Sequence, residues 1–332
     1  MSSRVMTTTR GPLQPSSLLQ QDILRVLLYF DIFEHPLRAE EIYRFLPSDS
    51  TSPAEIARAC QSPPLAAFVG HKRGHFFIGA ASASFTEERS RREQLAEHRW
   101  RIASFMAKMI RKFPFVRAVF VSGELSKGVA SKKGDIDFVI VTRANHLWIC
   151  RTFLILFKKV FLLNSKKYFC LNHFVAEDHL AFDRRNIYSA IEIATLKPLV
   201  NPTLFKEYMA ANAWITRFLP NWRVDPNLSG CRAVKGSRLQ RFFASFFPTH
   251  LADELDNFLM SRWQKIWRRR YAFLDDEERE RLYECRKYLS TAYGEDFLRK
   301  ILDAYCLRLE RFGLNEDSRS RDVFSDVVEH HD

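Results

Sequence analysis

The stretch VFVSGELSKGVASKKGDIDFVIV, residues 119–141, decides the fold. Two β-prone runs, Val119 to Val121 and Phe138 to Val141, enclose a Gly-x4-Gly loop formed by Gly123 and Gly128, with Lys127 inside it and Asp135-Ile136-Asp137 at the mouth of the second run. Side chains alternate across a pleat, so acids at i and i+2 on a strand share one face while Ile136 points into the core. Carboxylates held that close repel unless a cation lies between them. Oxygen-only ligands suit Mg²⁺ or Mn²⁺, which in turn bridges phosphate oxygens. The two glycines permit backbone conformations in which amide N–H groups converge on an anion, and a helix starting near Leu125 would add its dipole. With Lys127 as a point charge, the segment is equipped for attack on the α-phosphate of a nucleotide, metal ions stabilising the attacking and leaving oxygens.

These residues resemble the core motif of the nucleotidyltransferase fold shared by the DNA polymerase beta superfamily: Gly-Ser or Gly-Gly, a helix, then Asp-x-Asp on a strand. The likeness covers 119–141 closely and 116–200 loosely, and the whole chain is similar to bacterial nucleotidyltransferase-domain proteins. It implies a nucleoside triphosphate as substrate, a two-metal mechanism with Mg²⁺ or Mn²⁺, Asp135 and Asp137 as catalytic metal ligands, and phosphates held around Gly123, Lys127 and Gly128. Two departures stand out. Where the motif has serine or glycine after its first glycine, this chain has Glu124, which either turns outward or binds a cation itself, leaving Ser122 or Ser126 to touch the phosphates. The motif's third acid should come from a later strand, but the candidate, Tyr168 to Val175, offers Asn172, a metal ligand through its carbonyl, and His173, a base; strand alternation lets at most one face inward. Glu192, on an apolar helix, either reaches the site or pairs with Arg151 or a lysine.

Outward from this core, the reading is an α+β chain of several parts: a winged-helix-like module over 18–82, a linking helix over 83–114, a mixed-sheet α/β nucleotidyltransferase core over 115–201 and an all-helical domain over 202–316. Residues 1–17 form a polar leader and 317–332 a flexible tail. In the first module, Leu18, Leu19, Ile23, Val26, Leu27 and Phe30 recur at helical spacing. A second helix follows Pro36, a third begins at Ser52-Pro53, and apolar runs flank a hairpin tip at His71 to Gly74. Such a module reads DNA or docks a partner, and its third helix, with Arg58 offset by Glu55, favours docking. The linking helix reads as a charged, solvated face followed by an apolar stripe. A helix is expected through NIYSAIEIATLKPLV, residues 186–200, and no strand after 203.

With 332 residues and 46% hydrophobic content, the chain can bury two or three cores. The most apolar segment, Leu147 to Leu163, is broken by Arg151, Lys158 and Lys159, so it is expected to be a buried helix rather than a membrane span of roughly 18 residues. With no secretion signal, a cytoplasmic location is expected, and six cysteines without CxxC spacing fit free thiols. A net charge of +12 favours phosphate-bearing partners. Nucleic acid could meet the basic helices between Arg232 and Arg270, where Phe242, Trp263 and Trp267 either stack on bases or fill the core and Arg268-Arg269-Arg270 offers an anion contact.

Overall fold

The computed structural model describes residues 17–49, 51–79, 83–165, 167–226, 228, 231, 240, 249–292 and 296–314. Residues 1–16 of the leader, the basic stretch 232–248 with Phe242 apart from Gln240, and the tail lie outside the described residues.

Helix α1 (Leu18–Asp31) starts at Ser17, whose hydroxyl accepts the Gln20 N–H at 3.3 Å. Helix α2 (Ala39–Phe45) follows, and α3 (Pro53–Cys60) opens with a reciprocal cap in which Ser52 and Glu55 bond each other's backbone N–H. Strands β1 (Val69–Lys72) and β2 (His75–Ile78) form an antiparallel hairpin, its two-residue turn at Arg73 and Gly74 having positive φ at both positions.

The charged half of helix α4 (Ala83–Ile110) has the expected solvated face, with Glu87, Glu88, Arg91 and Glu97 exposed, but two of its arginines turn inward. Arg89, 3% exposed, reaches Glu41 of α2 at 2.7 Å and Glu93 at 3.1 Å, and donates to the Pro36 carbonyl. Arg99, also buried, donates to the carbonyls of Lys132 and Gly134. These two arginines are inward because α4 runs between the N-terminal helices and the residue 129–134 loop, whose polar groups they satisfy.

Strand β3 (Val116–Ser122), the single-turn helix α5 (Gly123–Ser126) and strand β4 (Asp137–Thr142) make up the quoted stretch. Then come α6 (Leu147–Phe161), β5 (Cys170–Ala176), α7 (Ile187–Thr195), β6 (Lys197–Val200) and α8 (Pro202–Ala211). After them lie α9 (Thr249–Arg270), α10 (Asp276–Leu282), β7 (Leu289–Thr291) and α11 (Phe297–Arg311). The five-stranded sheet runs β6-β3-β4-β5-β7, with β4 and β5 parallel and the other neighbours antiparallel. The fold is therefore α+β on a mixed sheet.

Two expectations fail here. The helix expected to Val200 stops at Thr195, and Lys197–Val200 becomes an edge strand, where Pro198 is tolerated for want of an N–H to contribute. The region after 203 is not all helical, since Leu289–Thr291 closes the other edge of the sheet against β5.

Pleat alternation divides the core. Ala118, Phe120, Val139, Val141 and Val175 share one apolar cluster with α1, α2, α7, α8 and α11, so the N-terminal helices pack into the same core as the sheet. Val119, Val121, Ile140 and Phe174 face α4, α6 and α9. There Trp263 and Trp267 are core residues, as Trp267 is buried and both rings lie 5.2 Å from the guanidinium of Arg151. Among the described residues no helix is long and apolar enough to cross a membrane, and all six cysteines are free.

Candidate functional site

Ser122 ends β3 opposite Asp137, the first residue of β4. Gly123 then turns with φ +70°, and a Cβ added there would lie 2.7 Å from an Asp137 carboxylate oxygen. The sequence thus needs glycine twice over, for the left-handed backbone and for the close approach of the acid. Helix α5 begins at Gly123 rather than Leu125 and lasts one turn before Gly128, φ +77°, ends it.

The two acids are not both on the strand, because β4 starts only at Asp137. Asp135 lies in the approach to the strand, with Ile136 fully buried between the two acids. Burial holds the Asp137 carboxyl above the usual range, and the charges of Asp135 and Glu192 push it further; a bond from the Cys170 thiol and the Lys127 ammonium oppose them. Burial and the neighbouring Asp137 in turn raise the Cys170 thiol.

Asp137 faces a cavity of about 270 Å³ lined also by Ser122, Gly123, Asn172, His173 and Glu192, with Phe182 and Tyr188 as an aromatic wall and Arg184 at its side. Asn172 and His173 both line it, against the expectation of one. The reason is a bulge: between the pairs Asp137↔Cys170 and Val139↔His173, β5 carries one residue more than β4, which breaks strict alternation. Full burial lowers the His173 pKa to about 4, so its imidazole is neutral at physiological pH.

Glu124 turns away from this cavity. Its carboxylate accepts the Ser131 N–H at 2.7 Å and meets Arg92 of α4 at 3.1 Å, clasping the loop that leads to Asp135. The Ser126 hydroxyl donates to the Gly123 carbonyl at 2.9 Å. Lys127 donates to Glu192 at 2.7 Å, so the partner of Glu192 is this lysine and not Arg151, yet Glu192 also reaches the cavity.

The loop residues expected to form one phosphate cradle are therefore divided. Ser122 and Gly123 line the first cavity, while Ser126, Lys127 and Gly128 line a second of about 450 Å³ on the other side of the turn, walled by α2, α4 and the start of β6. The sequence reading missed Arg92, Cys170 and Arg184. Arg92 sits in a charge-rich helix without a distinguishing pattern, and Cys170 becomes visible only through the β4–β5 register.

Among the described residues no group of three or more His, Cys, Asp or Glu side chains could hold a metal ion by itself. Compared with family models, curated proteins and solved structures, the chain matches none.

Proposed function

We propose that this chain is a nucleotidyltransferase of the polymerase beta kind, with a winged-helix-like module before its core, moving a nucleoside monophosphate from a nucleoside triphosphate to an acceptor. The observation that carries the reading is the seat of Asp137: a half-buried carboxylate, pressed against the Gly123 turn, facing a cavity and flanked by a second acid.

The donor set fits a hard divalent cation. Asp135 and Asp137 supply carboxylate oxygens, Asn172 an amide oxygen, and Mg²⁺ commonly takes one or two carboxylates with substrate phosphates and water completing its shell. Bound there, Mg²⁺ or Mn²⁺ would neutralise charge on the phosphate oxygens. The chain's own residues do the rest. Ser122 and the backbone at Gly123 orient the phosphates, Arg184 adds a cation, and Phe182 and Tyr188 offer faces for the base. Glu192, restrained by Lys127, stands in for the third acid from a helix instead of a strand.

Calorimetric titration with each nucleoside triphosphate, with and without Mg²⁺, tests this. Metal-dependent binding that disappears in Asp135→Ala/Asp137→Ala is expected; absence of binding to every triphosphate would remove the reading. A second reading, a non-catalytic scaffold that binds nucleic acid, draws on the exposed Arg268, Arg269 and Arg270 at the end of α9. Salt-sensitive RNA or DNA binding that survives loss of both aspartates would favour it.

A further inference from the structure

The second cavity has a chemistry of its own. Arg44 of α2 and Lys197, at the first position of β6, both line it, as does Trp100 of α4. Among the described residues neither cation has a carboxylate within ion-pair distance, 4.0 Å. Lys197 is half-buried, and its proton is disfavoured first by that burial and then by the like charge of Arg44, with Asp225 offsetting part of the penalty. Glu41 shares the wall, but Arg89 engages it at 2.7 and 3.0 Å and takes up its charge. His35, also on the wall, is neutral at physiological pH because burial lowers its pKa to about 3. The cavity therefore carries two cations without a carboxylate in ion-pair contact, Asp225 acting on Lys197 only from further off, beside a half-buried indole. A size of about 450 Å³ lies within the range of small-molecule sites.

We propose that this cavity binds a phosphorylated ring compound of nucleoside monophosphate size, its phosphate on Arg44 and Lys197 and its ring against Trp100. Charge-assisted bonds from a guanidinium fork and an ammonium are the usual means of holding phosphate, and an indole face takes a planar ring. The site does not depend on the reading of the first cavity: it uses neither aspartate and requires no metal.

The test is calorimetry on the full chain with adenosine monophosphate as probe, in EDTA so that no divalent cation contributes. Wild type and Asp135→Ala/Asp137→Ala are expected to bind alike, and Arg44→Ala/Lys197→Met to bind about tenfold or more weakly. Arg44→Lys/Lys197→Arg should recover most of the affinity, since both charges are kept. Inorganic phosphate and adenosine, each carrying half of the recognition, should both bind more weakly than the monophosphate. Arg44 is exposed and Lys197 half-buried, so a matched thermal melt is expected for the charge-removing pair. The proposal is overturned by absence of binding to wild type at about 1 mM probe, the weak end of specific affinities. Binding indifferent to loss of Arg44 and Lys197 overturns it equally, and so does binding lost with the two aspartates, which would assign the probe to the first cavity. Failure of Mg²⁺-dependent triphosphate binding would leave it standing.

Discussion

The two cavities on either side of the Gly123–Gly128 turn are a few residues apart in sequence and opposite in charge. The first gathers Asp137 and Glu192 with Asp135 close by; the second gathers Arg44 and Lys197. One short turn acts as the partition, and Lys127 lies across it, lining the second cavity while its ammonium bonds the Glu192 carboxylate of the first. A glycine-rich loop that reads in sequence as a single phosphate cradle is in three dimensions a wall with two sides. The acidic side suits a cation and whatever that cation holds. The basic side suits an anion directly.

The strongest blow to this division should come from Arg89. Its guanidinium is buried and holds Glu41, Glu93 and the Pro36 carbonyl, fixing the wall of the second cavity. Arg89→Met takes the shared cation from Glu41 and Glu93, both partly exposed, and the donor from the Pro36 carbonyl, so a loss of about 3 kcal/mol is expected in urea denaturation. A loss below about 1 kcal/mol would mean that the N-terminal helices are not anchored through α4.

Acid should separate the cavities next. The pKa of His173 is lowered to about 4, so the native state binds fewer protons than the unfolded chain between there and the ordinary histidine value of about 6.5. Its contribution is full above that window and lost as pH falls through it, about 3 kcal/mol in all. His35, in the second cavity, acts in the same direction, having a pKa lowered to about 3. Asp137 acts oppositely: its raised pKa makes the native state take up a proton first, so its part of the stability grows as pH falls towards the ordinary aspartate value. His173→Gln should flatten the acid limb of a melting-temperature profile, and Asp137→Asn should steepen it just above the ordinary aspartate value. Parallel profiles for both variants would show that the first cavity is open to solvent.

The two glycines should then differ. Gly123→Ala meets both a left-handed backbone and the Asp137 oxygen, for about 2 kcal/mol. Gly128→Ala has open space around the new methyl and only the backbone penalty, about 1 kcal/mol. Equal losses in denaturant would mean that Asp137 swings away from the turn without resistance.

Much of this architecture was legible in the sequence. The Ser52-Pro53 cap, the hairpin tip and the glycine positions each report local backbone demands that a short string encodes. What was hidden depends on distant partners. β7 has three residues and exists because β5 leaves an edge for it. Glu124 faces α4 because Arg92 is there, and Asn172 and His173 both reach the cavity because of a bulge against β4. The division of Ser122 and Gly123 from Ser126, Lys127 and Gly128 was hidden for a related reason. A loop's sequence names its residues without saying which side of the loop each one faces.

Whether the partition also transmits is the subtlest question, and the Lys127–Glu192 pair answers it. Both side chains are mostly buried and their atoms stand 2.7 Å apart, so a double-mutant cycle with Lys127→Met and Glu192→Gln should give a coupling of about 1 kcal/mol in stability. An anion in the second cavity would compete with Glu192 for Lys127 and leave more negative charge facing Asp137, strengthening cation binding there. By reciprocity a cation in the first cavity would draw on Glu192 and strengthen anion binding in the second by the same factor. Titrating Mn²⁺ with and without adenosine monophosphate measures that factor, a few-fold tightening being expected in wild type and none in Lys127→Met. Equal Mn²⁺ affinities with and without the monophosphate in wild type would make Lys127 a strut between two independent sites.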